Sequence, residues 1–142
     1  KSSSADIQRI KFVPSYFTYK EIDQNVDKDI VEISQDKKIK RPSIPNSSSH
    51  NAHMYYFLLK NIKQRMYFIE SMKLKGVDCY FHYIPLHSSP GGCEYGRIHG
   101  DISNTNDLSD RLVRLPLWVG LDVDYVINQV LDVISTFKED NF

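Results

Sequence analysis

Seven apolar residues, Val123, Val126, Ile127, Val130, Leu131, Ile134 and Phe137, recur at three- and four-residue steps near the end of this chain. That spacing puts them on one side of a helix and makes its apolar face wide. A face of this width has to be buried, so the rest of the chain must supply a layer to set against it. Asp122 is placed to cap the helix, Asp124 favours its positive end, and Leu121 is spaced to staple onto Val126.

The covering layer begins at His53. His53 to Lys60 reads as a strand rich in Tyr, Phe and Leu, apolar on both faces and so expected to be covered on both. Asn61 then caps a helix, with Gln64 in capping-box position and Gly76 as the stop; Ile62, Met66, Ile69 and Met72 form its predicted apolar stripe. Val77 to Ile84 reads as the next strand, with Val77, Cys79, Phe81 and Tyr83 on one face and Asp78, Tyr80, His82 and Ile84 on the other. A long loop is expected over 85–106, a short helix over Asn106 to Arg114 ended by Pro116, and a third strand over Leu117 to Val119. Upstream, Ala5 to Val13 reads as a short helix broken or restarted at Pro14, Tyr16 to Val31 is ambiguous with a helical spacing of Tyr16, Phe17, Tyr19, Ile22 and Val26, and Asp36 to Ser49 is a Lys/Pro/Ser linker with a short strand at Lys38 to Arg41. Residues 1–50 are thus expected to be a helical segment and linker, and 51–142 a small α/β domain. Its expected form is a short, mainly antiparallel sheet with two or three helices packed on one face.

At 142 residues the chain has enough length for one modest core, and 18 Lys plus Arg balance 18 Asp plus Glu. No net field recruits nucleic acid or an anionic membrane, and the cluster Lys37, Lys38, Lys40, Arg41 reads as a solvated edge. Cys79 and Cys93 make no disulfide framework, which points to a reducing, cytoplasmic setting. His82, His87, Cys93 and His99 do not follow a familiar zinc spacing, so no metal is expected. No Ser-His-acid arrangement has the context of an activated nucleophile.

The chemistry concentrates where the second strand stops. His82-Tyr83-Ile84-Pro85-Leu86-His87-Ser88-Ser89-Pro90-Gly91-Gly92 leads into Tyr95-Gly96, and Leu115-Pro116-Leu117 follows later. A Gly-rich, His-bearing loop after a proline break is where a scaffold presents polar groups to a ligand. Imidazole and phenol groups both donate and accept hydrogen bonds, which suits hydroxyl or phosphate recognition. His87 reads equally as a pocket wall or an exposed loop residue, and Tyr95 as a sugar-stacking ring or a loop anchor. Arg111 has the fork to hold a carboxylate or phosphate but more often forms a salt bridge on its own helix. Trp118 reads as core or interface.

Together with Pro42-Ser43-Ile44-Pro45, Asn51-Ala52-His53-Met54-Tyr55-Tyr56, Gly100, Thr105, Ser109 and Arg111-Leu112, these residues resemble, in order and spacing, the C-terminal part of the sugar-nucleotide aminotransferases. These are DegT-type, fold type I enzymes dependent on pyridoxal 5'-phosphate (PLP). The resemblance covers roughly the last hundred residues. It implies the C-terminal small domain of a cytoplasmic homodimer that aminates a dTDP-4-keto-6-deoxyhexose with glutamate as donor, for cell-envelope glycan synthesis. By the same resemblance His82, Tyr83, His87 and Tyr95 are the expected substrate-binding residues. The imine-forming lysine and the acid facing the pyridine nitrogen belong to a large N-terminal domain, so this segment is expected to be inactive alone. The alternative is a truncated, non-catalytic domain that keeps only the fold.

Overall fold

The computed structural model describes residues 39–42, 46–47 and 53–137. The predicted helix at Ala5 to Val13 and the ambiguous stretch at Tyr16 to Val31 lie outside the described residues. Two antiparallel strands, β1 (Tyr55–Leu58) and β2 (Leu112–Leu115), pair from Tyr55 opposite Leu115 to Leu58 opposite Leu112. Helix α1 (Ile62–Leu74) follows β1; a 3-10 turn (Leu86–Ser88), α2 (Pro90–Tyr95) and α3 (Ser103–Arg111) precede β2, and α4 (Val123–Ser135) closes the described order. This is the expected small mixed fold, a short antiparallel sheet with helices laid against one face.

The core explains the layering. Alternate residues of the β1 stretch, Tyr55, Phe57 and Leu59, join Val113 of β2 on one sheet face. Against them pack Phe68 and Met72 of α1 and Val126, Ile127, Val130, Val133 and Ile134 of α4. Phe57 and Phe68 meet edge-to-face with ring centroids 5.4 Å apart. The α4 face predicted from its spacing is the one buried. Each fully covered side chain of this kind contributes roughly 1.5–3 kcal/mol relative to exposure. Tyr67 reaches Thr136 at 3.3 Å while the Tyr125 hydroxyl donates to the Lys75 carbonyl at 2.7 Å, so α1 and α4 run antiparallel. Lys75 and Asp132 add an exposed ion pair at 2.6 Å.

The helix ends follow local chemistry closely. The Asn61 side chain accepts from the Gln64 N–H at 3.0 Å, and Gln64 reaches back to the Lys60 N–H at 2.8 Å. At the other end Gly76, at φ 73°, lets its own N–H and that of Val77 bond the Lys73 and Met72 carbonyls, a Schellman closure. Asp122 caps α4 by accepting from the Tyr125 N–H at 2.9 Å. Leu121 packs against the core as the staple requires.

Six local expectations are corrected. On α1, Ile62 and Met66 are exposed, and the buried stripe runs through Gln64, Phe68 and Met72; the polar Gln64 is tolerated inside because its amide completes the cap. The Val77 to Ile84 stretch pairs only through a bridge between Tyr80 and Arg114, and its alternation of burial ends when Phe81 comes to the surface. The segment over 85–106 is a 3-10 turn and a short helix, not a plain loop, because Ser88 and Ser89 satisfy turn carbonyls and Ser89 caps α2 at Gly92. Helix α3 starts at Ser103, where Asp101 receives the Ser103 N–H, and stops at Arg111. The strand expected over Leu117 to Val119 lies instead at Leu112–Leu115, before the proline. The Lys38 to Arg41 strand is reduced to one bridge, Lys40 to Leu58, although Ile39 enters the core.

Candidate functional site

Beside the second face of the sheet lies a cleft of about 440 Å³, lined by His53, Met54, Tyr80, His82, Tyr83, Arg114, Leu115 and Leu117. Three chain segments build it. Residues 53–54 lead into β1, the Tyr80 to Tyr83 stretch runs alongside β2, and Arg114 with Leu115 comes from β2 itself. The bridge holds the last two together through N–H to carbonyl contacts of 3.1 Å from Tyr80 and 2.7 Å from Arg114. Arg114 is therefore clamped on both sides, opposite Tyr56 on β1 and opposite Tyr80 across the bridge.

Of the four residues expected to bind substrate, the structure brings two to this cleft. His82 is half-buried and its ring meets that of Tyr83 edge-on at 4.5 Å between centroids. Tyr83 is 71% exposed, with the Arg114 guanidinium 5.6 Å above its ring. The same guanidinium makes a long contact, 3.4 Å, from Nη2 to the Phe81 carbonyl. His87 stands outside the lining, with Nε2 2.7 Å from Asn106 Oδ1, tying the 3-10 turn to α3. Tyr95, at the end of α2, is also outside it and 82% exposed; a hydrogen bond with Glu94 raises its phenol above the ordinary range. Arg111 takes the salt-bridge course, pairing with Asp107 at 2.6 Å while its Nε donates to the Leu59 carbonyl at 2.7 Å. Trp118 is exposed, which leaves the interface reading of the two.

Two polar atoms in the cleft wall stand out electrostatically. His82 Nδ1 and Arg114 Nε are both buried and have no hydrogen-bond partner within the protein. Leaving such a nitrogen unsatisfied costs on the order of 1–3 kcal/mol. Among the described residues, the lining holds one guanidinium, two imidazoles and two phenols and no carboxylate. Sequence reasoning missed Arg114, because the helix expected over Asn106 to Arg114 placed it at a helix end. Reading Leu112-Val113-Arg114-Leu115 as a strand beside Pro116 was the signal that would have found it. Among the described residues, the cleft lining holds no lysine to form an imine with PLP and no acid to face a pyridine nitrogen, so these residues do not suit a covalently held PLP. Among the described residues, no group of three or more His, Cys, Asp and Glu is arranged to hold a metal, and no helix is long and apolar enough to cross a membrane.

Comparison with known proteins gives this geometry a setting. Residues 18–134 match the sequence profile described as the DegT/DnrJ/EryC1/StrS aminotransferase family. The chain belongs to this family. Among curated proteins, the DegT/DnrJ/EryC1/StrS member matches the uncharacterized protein MJ1066 of Methanocaldococcus jannaschii, with 31% identity over 103 residues, 69% of this chain and 25% of that one. Among solved structures it superposes on the aminotransferase TlmJ from Streptoalloteichus hindustanus with a TM-score of 0.66 at 22% identity, covering 82% of this chain and 31% of TlmJ. The ntda protein of Bacillus subtilis, solved with bound PMP, gives a TM-score of 0.66 at 17% identity over 81% of this chain and 27% of its own. At those identities the structural likeness establishes the fold. The DegT/DnrJ/EryC1/StrS chain described here spans between a quarter and a third of the length of these relatives.

Proposed function

We propose that this chain is the C-terminal small domain of a PLP-dependent aminotransferase that aminates a nucleotide-linked keto-sugar. The substrate reading is a dTDP-4-keto-6-deoxyhexose converted to its 4-amino sugar with glutamate as donor, the activity of a dTDP-4-amino-4,6-dideoxygalactose transaminase, within a cytoplasmic homodimer serving cell-envelope glycan synthesis. The observation that carries the reading is the family match over residues 18–134 combined with a cleft in which His82 and Tyr83 stand together. A wall of imidazole and phenol groups suited to bind and orient a sugar fits one lobe of a two-lobed enzyme. PLP supplies the electron sink for moving an amino group when bound, and that role falls to the lobe carrying the lysine.

In this lobe the residues of this chain have binding work. His82 and Tyr83 offer donors and acceptors to sugar hydroxyls, and the Arg114 ring contact fixes the phenol they share a wall with. The β1–β2 pairing and the core beneath it hold that wall in place, which is what orientation requires. His87 and Tyr95, on the largely exposed segment from Ile84 to Ile98, belong to the reading as contacts to substrate or to the other lobe.

The test compares two polypeptides. The longer one, carrying this lobe with its cofactor lobe, is expected to show a visible PLP absorbance band and to form 2-oxoglutarate from glutamate when given the dTDP-4-keto-sugar. The 142-residue chain alone is expected to show neither. A longer polypeptide that binds no PLP and forms no 2-oxoglutarate would favour the second reading, a non-catalytic domain keeping the fold.

A further inference from the structure

We propose that the Val77 to Ile84 stretch is a self-pairing edge, at which a second copy of this chain adds antiparallel and joins two sheets into one. Four segments lie side by side: Lys40 bridges to β1, β1 pairs with β2, and β2 bridges to Tyr80. The two outer segments are finished differently. Lys40, Arg41 and Pro42 stand at one edge, and these are the residue types that discourage a further strand. At the other edge Val77-Asp78-Cys79-Tyr80-Phe81-His82-Tyr83-Ile84 contains no Lys, Pro or Gly until Pro85 closes it. The backbone there is also unspent. The Tyr80 N–H and carbonyl both go to Arg114, at 3.1 and 2.7 Å. Bonding direction alternates along a strand, so Cys79 and Phe81 turn their backbone groups away from β2. Among the described residues no backbone group bonds them there, and the Phe81 carbonyl has only its long 3.4 Å contact from Arg114 Nη2.

The residue order selects the occupant. Setting Cys79 opposite the partner's Phe81 lets the two exchange N–H to carbonyl bonds and places the two-fold axis at Tyr80. Tyr80 then faces the partner's Tyr80, and Asp78 faces the partner's His82, an acid against an imidazole with no like charges opposed. Tyr80 is 59% exposed and Asp78 is exposed, so both are open to a facing strand. The edge is therefore complementary to itself in hydrogen bonding, in aromatic surface and in charge. Tyr80 and His82 also line the cleft, so the pairing brings the partner's Asp78 and the partner's Tyr80 up to each cleft wall. The pairing does not rest on the aminotransferase reading.

In sedimentation equilibrium the 142-residue chain is expected to exchange reversibly between monomer and dimer with a Kd on the order of 10–100 µM. The affinity is weak because a short edge buries less than the roughly 1,200 Å² of a standard interface. Phe81→Pro removes an N–H on the open side and keeps the Tyr80 bonds to Arg114, and is expected to weaken association at least about tenfold. Lys40→Gln, at the other edge, changes it less than about twofold. Register is read by oxidative crosslinking in a Cys93→Ser background, which removes the exposed thiol. Facing Tyr80 residues form a non-hydrogen-bonded pair with Cα atoms about 4.5 Å apart, within disulfide reach. Tyr80→Cys is therefore expected to give a covalent dimer, and Asp78→Cys, displaced along the strand from its own copy, at least about tenfold less. This second readout stands even where Phe81→Pro disturbs the fold. A chain that stays monomeric to about 1 mM, or that crosslinks equally from both positions, overturns the pairing. These readouts involve no PLP and no turnover, so their failure is distinct from a failure of the transaminase assay.

Discussion

The sheet-and-helix body and the arm from Ile84 to Ile98 are held by different forces. In the body, Phe57, Phe68, Met72, Val113 and Val130 are each fully out of solvent, and their positions are fixed by mutual packing. In the arm, Ile84, Leu86, Tyr95 and Ile98 are all exposed, Leu86 at 85%. The arm is shaped by short-range hydrogen bonds: the Ser88 and Ser89 hydroxyls on turn carbonyls, the Ser89 cap on Gly92, and the Cys93 N–H on the Ser89 carbonyl at 2.8 Å. Gly92 is part of that shape, since a Cβ there would run into the Leu86 carbonyl. Among the described residues, one side-chain hydrogen bond ties the arm outward, His87 to Asn106. A segment shaped locally keeps its apolar side chains available to something else, whereas a segment shaped by burial has already used them. That contrast is why the body reads as scaffold and the arm as a contact surface.

The contrast breaks most visibly by emptying the body. Phe68→Ala removes a ring that meets Phe57 edge-to-face and is wholly buried, so a loss of about 3–5 kcal/mol is expected in urea unfolding of the chain. A loss under about 1 kcal/mol would mean that α1 is not held by its buried stripe.

A second, smaller effect sets the two cysteines against each other. Burial, reinforced by the charge of Asp78, pushes the Cys79 thiol from 9.0 up to about 12, whereas Cys93 is exposed on the arm. Because the folded state holds the Cys79 proton more tightly than the unfolded chain does, stability is unaffected below about pH 9. It falls as pH rises from there toward about 12, where the folded thiol also ionises. Thermal melts across that window are expected to slope downward, and Cys79→Ala to remove that part of the slope. At neutral pH, iodoacetamide should modify Cys93 at least about a hundredfold faster than Cys79, whose exposure requires opening of the core.

Legibility from the sequence divides along the same line. The α4 face, both capping residues and the Gly76 stop are local patterns, and all four stand where the spacing put them. The α1 stripe was misread because Ile62 and Met66 look apolar, while the polar Gln64 is carried inside by its cap bond. β2 was hidden inside an expected helix because four residues before a proline are too few for periodicity to tell a strand from a helix end. Arg114 disappeared with it. His82 and Tyr83 were visible from their position at the strand break. Their meeting with Arg114, however, depends on a bridge between residues 80 and 114, a long-range pairing that no spacing rule reports.

The gentlest perturbation tests the arm itself. Tyr95→Ala removes a large ring that is 82% exposed, and its loss is expected to change stability by no more than about 0.5 kcal/mol in the same urea measurement. The phenol's hydrogen bond with Glu94 is a surface contact and adds nothing that unfolding would register at that scale. On the proposed two-lobed reading, the same substitution should register as weaker association with substrate or with the other lobe, because an exposed ring is available for such a contact. A change above about 1 kcal/mol in the isolated chain would show that the arm is packed on the body after all, and would dissolve the distinction between scaffold and contact surface.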